Sequence, residues 1–362
     1  METNGELNVP VLDLATTSED ELIHQIASAC SEFGFFQVIG HGIPQELIHD
    51  FREQLRLYFS LPEETKLSWK RGDSNSRGYF DDELTKQRRD WKQCLDFGVP
   101  GTRDWSTKDD DPANHCLDGW NQLPSEDLLP LFRTTVTQYF DACTQLSDRI
   151  AILMAKGLGQ DENADLLKAL REKHSSYLRS NYYPPCNEIG EDGVKPLGIS
   201  PHQDAGFLTV LLQDDDCHSL QVLKDDKWIT VHPEPGAFTI NTGDMAQVWS
   251  NGKYKAPLHR VLSDEGKERY SAPFFYNPPY ETIVEPIDCG EGESQYHSVL
   301  WGYFRAVRFA GDLTDLGVEI QVDDFLRSKP NSHHLRQQSA FAEQADFSAP
   351  FSVTQYRPLL VP

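Results

Sequence analysis

The sequence predicts a mixed α+β fold in which helices support a β-rich core. Two patterns carry this prediction. Apolar residues recur at helical spacing in much of the chain before residue 175, and short β-rich runs separated by turn residues follow it. Many short strands at this spacing are typical of a sandwich or a barrel. With 362 residues, the chain is long enough to bury a core of jelly-roll size.

Three helices and one strand are predicted in the first half. Ser-Glu-Asp-Glu at positions 18–21 has the form of a capping box, and the helix that it opens extends to Gly34. A strand is predicted at Phe35–Ile39. A proline opens a second helix over residues 44–58. The 3–4 spacing of apolar residues predicts a long amphipathic helix over residues 128–153.

The second half is predicted to be mostly strands. The β-rich runs are 176–183, 207–213, 219–223, 228–232, 237–240, 245–249, 259–262 and 270–276. Beyond them, one helix is predicted near residues 300–309. Residues 337–362 carry little periodicity and are expected to wrap the surface.

Two histidines and an aspartate form the most informative motif, His202-Gln-Asp204 followed by His259. Two imidazoles and one carboxylate are the ligand set of mononuclear non-haem Fe(II) oxygenases. Residues i and i+2 of a strand share a face, so His202 and Asp204 are expected to project together. His202 heads the only His-x-Asp of the chain. His232-Pro-Glu234 has the same spacing, but it lies beside a Pro-Gly turn signal and is interpreted as a solvated loop.

A carboxylate anchor is predicted shortly after the last histidine. Arg269 supplies a two-pronged guanidinium, and Ser271 shares its strand face. Asn181 and Tyr183 form a third i, i+2 pair, although Tyr183 is equally consistent with a core tyrosine. If these strands turn the same faces inward, ligands and anchors converge inside one barrel. The pattern therefore indicates an iron site with a docking point for 2-oxoglutarate.

Composition excludes several classes of function. The net charge of −24 argues against binding to nucleic acid or to an anionic membrane surface. Seven scattered cysteines without a Cys-x-x-Cys indicate neither a disulfide framework nor a zinc ribbon, and they suit a reducing compartment. The sequence shows neither a signal peptide nor an apolar run of membrane-spanning length. A soluble cytoplasmic protein is expected, for which a monomer is plausible.

Motifs along most of the chain resemble one known family. The N-terminal motifs lie at residues 8–14, 30–43 and 77–79, and the core motifs lie at 181–186, 208–212, 243–244, 250–254 and 259–261. Together they resemble the 2-oxoglutarate- and Fe(II)-dependent oxygenases of the isopenicillin N synthase-like group. The residue between the first histidine and the aspartate is Gln203, where plant members usually have Thr or Ser. Gln203 should point away from the ligands, so the resemblance still implies metal coordination.

The resemblance implies a distorted double-stranded β-helix, or jelly-roll, core supported by helices. It implies that His202, Asp204 and His259 hold Fe(II), that Arg269 and Ser271 bind the distal carboxylate of 2-oxoglutarate, that Asn181 and Tyr183 line the cosubstrate pocket, and that Tyr79 is either a substrate-pocket residue or a packing tyrosine. The expected segments are an N-terminal part packing on the core (1–120), long supporting helices (121–175), the catalytic core (176–285), and a C-terminal helix and tail (286–362).

The implied activity is that of a dioxygenase. It would use Fe(II), 2-oxoglutarate and O2, with ascorbate as reductant in assays, to oxidise an unactivated C–H bond of a small metabolite. Hydroxylation, desaturation and oxidative cyclisation all stay open. One alternative is an Fe(II) oxidase without 2-oxoglutarate, in which the Arg-x-Ser motif grips the substrate's carboxylate. A catalytically silent β-helix protein that binds a small molecule is the other. Oxygenases of nucleic-acid repair place a second Arg where Ser271 stands.

Overall fold

The protein is described by a computed structural model for residues 8–73, 75–85, 88–99, 117–189, 193, 195–288, 293–313, 320–330 and 332–349. Its N-terminal elements are β1 (Val11–Asp13), α1 (Glu19–Glu32), β2 (Phe35–Ile39), α2 (Gln45–Phe59), α3 (Glu63–Leu67), β3 (Gly78–Phe80), β4 (Leu84–Thr85), β5 (Arg88–Arg89) and β6 (Gln93–Gly98). Two helices follow, α4 (Phe132–Gly157) and α5 (Asp165–Glu172).

The β-rich half begins at residue 177. Its elements are β7 (Tyr177–Tyr183), β8 (Ile199–His202), β9 (Leu208–Gln213), β10 (Leu220–Lys224), β11 (Lys227–Thr230), β12 (Phe238–Thr242), α6 (Asp244–Trp249), β13 (His259–Val261) and β14 (Arg269–Tyr276). The C-terminal elements are β15 (Ile283–Val284), β16 (Val299–Leu300), α7 (Trp301–Leu313), a 3-10 helix at Val322–Phe325 and α8 (His333–Gln344).

Two sheets form the layers of the jelly roll. The large sheet has the order β1-β2-β12-β9-β14-β7-β6-β3, and the small sheet has the order β11-β10-β13-β8. Residues of both sheets line one cavity. The predicted mixed α+β jelly roll is therefore present. The N-terminal segment supplies both ends of the large sheet, so it is a part of the core layer as well as a cover for it.

The helix α4 supports the outer face of the large sheet. Its buried face carries aromatic residues that pack against α2 and β14. Tyr139 stacks on Phe51 of α2 with the ring centroids 3.7 Å apart. Phe140 meets Phe274 of β14 edge-on at 4.9 Å. This packing leaves the opposite face of the sheet free to line the cavity.

Three predictions about elements were wrong. Residues 245–249, predicted as a strand, lie in α6; a short apolar run does not distinguish a strand from a buried helix. The strand β8 was missed because Pro201 lies inside it. Part of the expected tail forms α8, while residues 350–362 lie outside the described part of the chain.

Two further expectations can be compared with the structure. None of the described helices has the length and apolar character that a membrane crossing requires. The described cysteines are free and buried, namely Cys30, Cys94, Cys143, Cys186 and Cys217. Cys116 and Cys289 lie outside the described residues.

Candidate active site

The two histidines of the predicted triad lie opposite each other on neighbouring strands. His202 ends β8 and pairs with His259 at the start of β13. Their ring centroids are 4.2 Å apart. Asp204 lies two residues beyond β8, so the prediction that it shares a strand with His202 was wrong. Its Oδ1 is nevertheless 3.6 Å from Nε2 of His202 and 3.7 Å from Nε2 of His259.

The histidines present the nitrogen that a metal needs. Nδ1 of His202 lies 2.9 Å from the Ser200 carbonyl, and Nδ1 of His259 lies 3.1 Å from the Pro257 carbonyl. Because a carbonyl only accepts hydrogen bonds, each Nδ1 carries the proton and each Nε2 keeps its lone pair. Burial, with His259 beside it, lowers the pKa of His202 to about 3. His202 is therefore neutral at physiological pH.

The aspartate is held by two side chains of the large sheet. Thr209 of β9 donates to Asp204 Oδ2 at 2.6 Å, and Asn241 of β12 donates to the same oxygen at 2.7 Å. Burial disfavours the charged form, but the facing histidines and these two hydrogen bonds outweigh it and lower the pKa of Asp204. The carboxylate is thus ionised, with Oδ1 left free to face both histidines.

These three groups fit a divalent transition metal. The nearest ligand atoms of His202, Asp204 and His259 all lie within 4.8 Å of one another. Two neutral imidazoles and one carboxylate on one side of a site suit Fe(II) with open positions. Carbonyls and side-chain donors behind the ligands fix their orientation, as in well-ordered metal sites. Gln203, the residue between His202 and Asp204, donates a hydrogen bond from its side-chain amide to the Ala256 carbonyl at 2.6 Å.

The predicted carboxylate anchors form cross-strand pairs on the inner face of the large sheet. Arg269 of β14 lies opposite Tyr183 of β7, and Ser271 lies opposite Asn181. Gln213 of β9 lies opposite Ser271 on its other side. The two i, i+2 pairs that the sequence indicated are therefore adjacent in space. Gln213 was missed, because only the strand register brings it there.

Arg269 is a buried cation without a counter-ion among the described residues. Its side chain donates to Ser271 Oγ at 3.2 Å and to Gln213 Oε1 at 3.1 Å, and its Nε has no partner. The guanidinium lies over the Tyr183 ring, 4.8 Å from the centroid. A buried charge is normally paired. An anionic ligand, such as a carboxylate, would complete this site.

A cavity of about 160 Å³ connects the triad and the anchor. Its wall includes the triad, Asn181, Tyr183, Arg269 and Ser271, and also a set of charged side chains that the sequence did not indicate, Glu83, Lys92, Arg179, Arg305, Arg308 and Asp312. Arg179 could have been found, because it continues the i, i+2 pattern of Asn181 and Tyr183. The others come from distant segments.

Tyr79 is not among the described residues that line this cavity. It is 1% exposed in β3, and its ring lies 5.6 Å from Nζ of Lys66. The next residue, Phe80, points to the other face and lies 4.9 Å from the Arg179 guanidinium. Since alternate residues of a strand face opposite sides, Tyr79 is a packing residue here. The expectation that it lines the substrate pocket is not supported. The other motif with this spacing, His232-Pro-Glu234, lies in an exposed loop, as predicted.

Two family models match the chain. The 2OG-Fe(II) oxygenase superfamily covers residues 174–278, and the non-haem dioxygenase in morphine synthesis N-terminal model covers residues 9–126. Among the relatives is jasmonate-induced oxygenase 2 of Arabidopsis thaliana, 35% identical over 77% of this chain and 72% of the relative. Another is homoarginine-6-hydroxylase 2-ODD-C23 of Glycine max, 31% identical over 82% of this chain and 90% of the relative.

Solved structures agree in fold. JOX2 in complex with 2OG, Fe and JA superposes with a TM-score of 0.71 at 32% identity, covering 83% of this chain and 84% of the other. A full-length Neurospora crassa protein in complex with alpha-KG and thymine gives a TM-score of 0.71 at 23% identity, covering 85% and 98%. The resemblance inferred from the motifs is confirmed, and the chain belongs to the 2OG-Fe(II) oxygenase superfamily.

Proposed function

We propose that the chain is a dioxygenase in which His202, Asp204 and His259 hold Fe(II), and Arg269 and Ser271 bind the distal carboxylate of 2-oxoglutarate. One observation carries the proposal. The buried, unpaired guanidinium of Arg269 lies in the same cavity as three preoriented metal ligands. A dicarboxylate keto acid has one end for the anchor and one for the metal, whereas a simple anion has only one such end.

Each residue of the anchor makes a different contribution to binding the cosubstrate. Arg269 supplies charge and two-pronged geometry, and Ser271 supplies a hydroxyl on the same face. Asn181 donates to Ser271 Oγ at 3.3 Å and accepts from the Cys94 thiol at 3.1 Å, so it orients that hydroxyl. Tyr183 covers the guanidinium and excludes water from it.

Bound iron supplies the chemistry that couples O2 and 2-oxoglutarate, with release of succinate and CO2, to oxidation of a substrate C–H bond. The protein positions the reacting groups. His202, His259 and Asp204 stay fixed, because each has a hydrogen-bond partner behind it.

The oxidised compound is proposed to be a small metabolite. The related enzymes and complexes name chemically different molecules, including homoarginine, gibberellin, JA and thymine. Their names therefore do not select a substrate, and hydroxylation, desaturation and cyclisation remain open. The free buried thiols support a cytoplasmic setting.

Two measurements test the proposal against its rivals. Anaerobic protein with one equivalent of Fe(II) should bind 2-oxoglutarate in calorimetry, and with O2 and ascorbate it should form succinate slowly even without a substrate. An oxidase would bind no 2-oxoglutarate yet consume O2 with its own substrate. A silent binding protein would do neither. His259→Ala should lose iron, and retention of normal iron stoichiometry would contradict the ligand assignment.

A further inference from the structure

One wall of the cavity is built from a helix that carries charges of both signs. Arg305, Arg308 and Asp312 of α7 all line the cavity. Their spacing along the sequence places them on one side of a helix. Gly311, beside Asp312, also lines the cavity, and a Cβ added to it would meet no described atom within 4 Å. Among the described residues, open space therefore lies next to Gly311, the neighbour of Asp312.

The cations of this helix, and the two further cavity-lining cations Lys92 and Arg179, already have carboxylate partners. The pairs are Lys92 with Glu83 and Asp90 at 2.6 and 2.9 Å, Arg179 with Glu83 and Asp96 at 2.8 Å each, Arg305 with Asp118 at 3.5 Å, and Arg308 with Asp244 at 3.0 Å. An anionic ligand would have to compete with these carboxylates. A cationic ligand would not.

Asp312 differs from the carboxylates that pair with these cations. It makes neither a hydrogen bond nor an ion pair with any residue that the structure describes. The charged groups that face it are Glu83 from the β3–β4 turn, Arg71 after α3, Arg179 from β7 and Arg305 from its own helix. Burial and the neighbouring Glu83 raise the pKa of Asp312 to about 7. A carboxyl in this setting lacks a donor partner.

We propose that Asp312 selects the substrate, and that the oxidised small molecule carries a positively charged nitrogen group, an ammonium or a guanidinium, that pairs with this carboxylate. The inference rests on the proposed function, since it takes the cavity shared with the triad as the substrate site. Asp312 touches no metal ligand, so its role is recognition. A cation at this position completes the pairing of the wall, just as a carboxylate completes Arg269.

The test uses three probes of equal size that differ in their end group: n-hexylammonium, hexan-1-ol and hexanoate. Each is titrated by calorimetry into anaerobic protein loaded with Fe(II) and saturating 2-oxoglutarate, which keeps Arg269 occupied. Asp312→Asn removes the charge at constant shape, and Asp312→Glu keeps the charge. Asp323→Asn, at an exposed position of the 3-10 helix, is the matched control.

The wild type and Asp323→Asn should bind the ammonium roughly ten- to hundredfold more tightly than the alcohol, the range for a hydrogen bond to a charged group. Asp312→Asn should abolish that preference, and Asp312→Glu should restore most of it. Titrations near pH 7 in buffers of different ionisation enthalpy should show proton release with the ammonium, and none with Asp312→Asn. Substrate-free succinate formation should not change in the control Asp323→Asn.

Two results would overturn the inference: equal binding of ammonium and alcohol by the wild type, or a preference that survives in Asp312→Asn. Tightest binding of hexanoate would also overturn it, in favour of an anionic substrate. If Asp312→Asn does not fold, the wild-type preference and its proton release decide. Failure of the proposed function looks different, because wild-type protein would then neither bind 2-oxoglutarate nor form succinate.

Discussion

Asp204 is positioned by the large sheet, although its ligand partners belong to the small one. Thr209 and Asn241 donate to the oxygen that faces away from the histidines. Such partners behind a metal ligand typically contribute ten- to hundredfold in metal affinity. In the proposed Fe(II) site, the metal affinity would therefore depend on residues of both sheets.

Thr209→Val should weaken Fe(II) binding by about tenfold or more, because the isosteric methyl cannot donate to Asp204. Anaerobic Fe(II) titration measures this. Thr230→Val, which makes the same change in β11 away from the triad, is the control and should bind as the wild type does. Equal affinities in the two variants would show that the Thr209 hydroxyl has no part in holding the carboxylate.

Arg269→Lys should raise the 2-oxoglutarate requirement roughly ten- to hundredfold, because lysine keeps the charge but loses the two-pronged contact. Ser271→Ala should act in the same direction and less strongly. Titrating 2-oxoglutarate against succinate release measures both, with iron stoichiometry as the control. If Arg269→Lys weakened only the oxidised compound, Arg269 would anchor the substrate and the oxidase alternative would be favoured.

At the residue scale, the sequence predicted which residues the structure brings together in the candidate site, but not the side chains that support them. Asn181, Tyr183, Arg269 and Ser271 were recognisable because i, i+2 spacing is local. Thr209, Gln213 and Asn241 lie on other strands, and only the pairing register brings them to the site. Asp312 could not be recognised in the sequence. Its proposed role follows only from which cations of the cavity already have a carboxylate partner, and the sequence does not show these pairs.

At the scale of elements, the turn before α6 is a tightly packed point near the triad. A Cβ at Gly243 would collide with the Gly206 carbonyl oxygen and would lie 2.8 Å from the Asp204 carbonyl oxygen. Both obstacles are backbone atoms, so they cannot move aside as a flexible side chain would. The turn therefore transmits its geometry directly to a metal ligand.

Gly243→Ala should destabilise the fold by about 1–3 kcal/mol, the range for overpacking, and it should lower Fe(II) affinity by displacing Asp204. Chemical denaturation and metal titration measure the two effects. Gly266→Ala is the control, because its added methyl would meet no atom within 4 Å. An unchanged Fe(II) affinity in Gly243→Ala would show that the turn and the ligand are uncoupled.

The types of elements were predicted correctly where periodicity was long and wrongly where it was short, while the boundaries of α4 lie four residues later than predicted. α1 and α4 have many turns, and their helical spacing was recognised. The single apolar run of α6 is too short to separate helix from strand. Strand β8 contains Pro201, which lacks a ladder donor, and it is tolerated because β8 is at the edge of the small sheet.

At the scale of the whole molecule, the charged wall should make stability depend on pH. The pKa of Asp312 is raised to about 7, above its ordinary value of 3.8. Between these values the folded state holds a proton that the unfolded state has lost, so stability falls as pH rises through this range. Asp312→Asn removes this loss.

The melting temperature of Asp312→Asn, relative to the wild type, should therefore rise between pH 5 and pH 8. Calorimetric scans across this range measure it, with Asp323→Asn as the control that should follow the wild type at every pH. A difference between Asp312→Asn and wild type that is constant from pH 5 to pH 8 would contradict the raised pKa.

The overall architecture was predictable, and the share of the N-terminal segment in it was not. Repeated short strands indicated a jelly roll, but no sequence signal shows that β1, β2, β3 and β6 complete the large sheet. Strand partners distant in sequence are specified by packing, since each strand alone is compatible with many neighbours. For the same reason, the sequence did not show that α7 lines the cavity.

The strand order has a consequence for how the newly synthesised chain folds. β2, made early, pairs with β12, and the cavity is closed by α7, which is synthesised later still. Pairings so distant in sequence form slowly, and they wait until the ribosome has delivered most of the chain. Until then, the strands of the growing chain lack their hydrogen-bond partners. Such unpaired strand edges are prone to aggregation, and chaperones protect chains that expose them. The cavity is therefore completed only late in folding, after α7 has been synthesised.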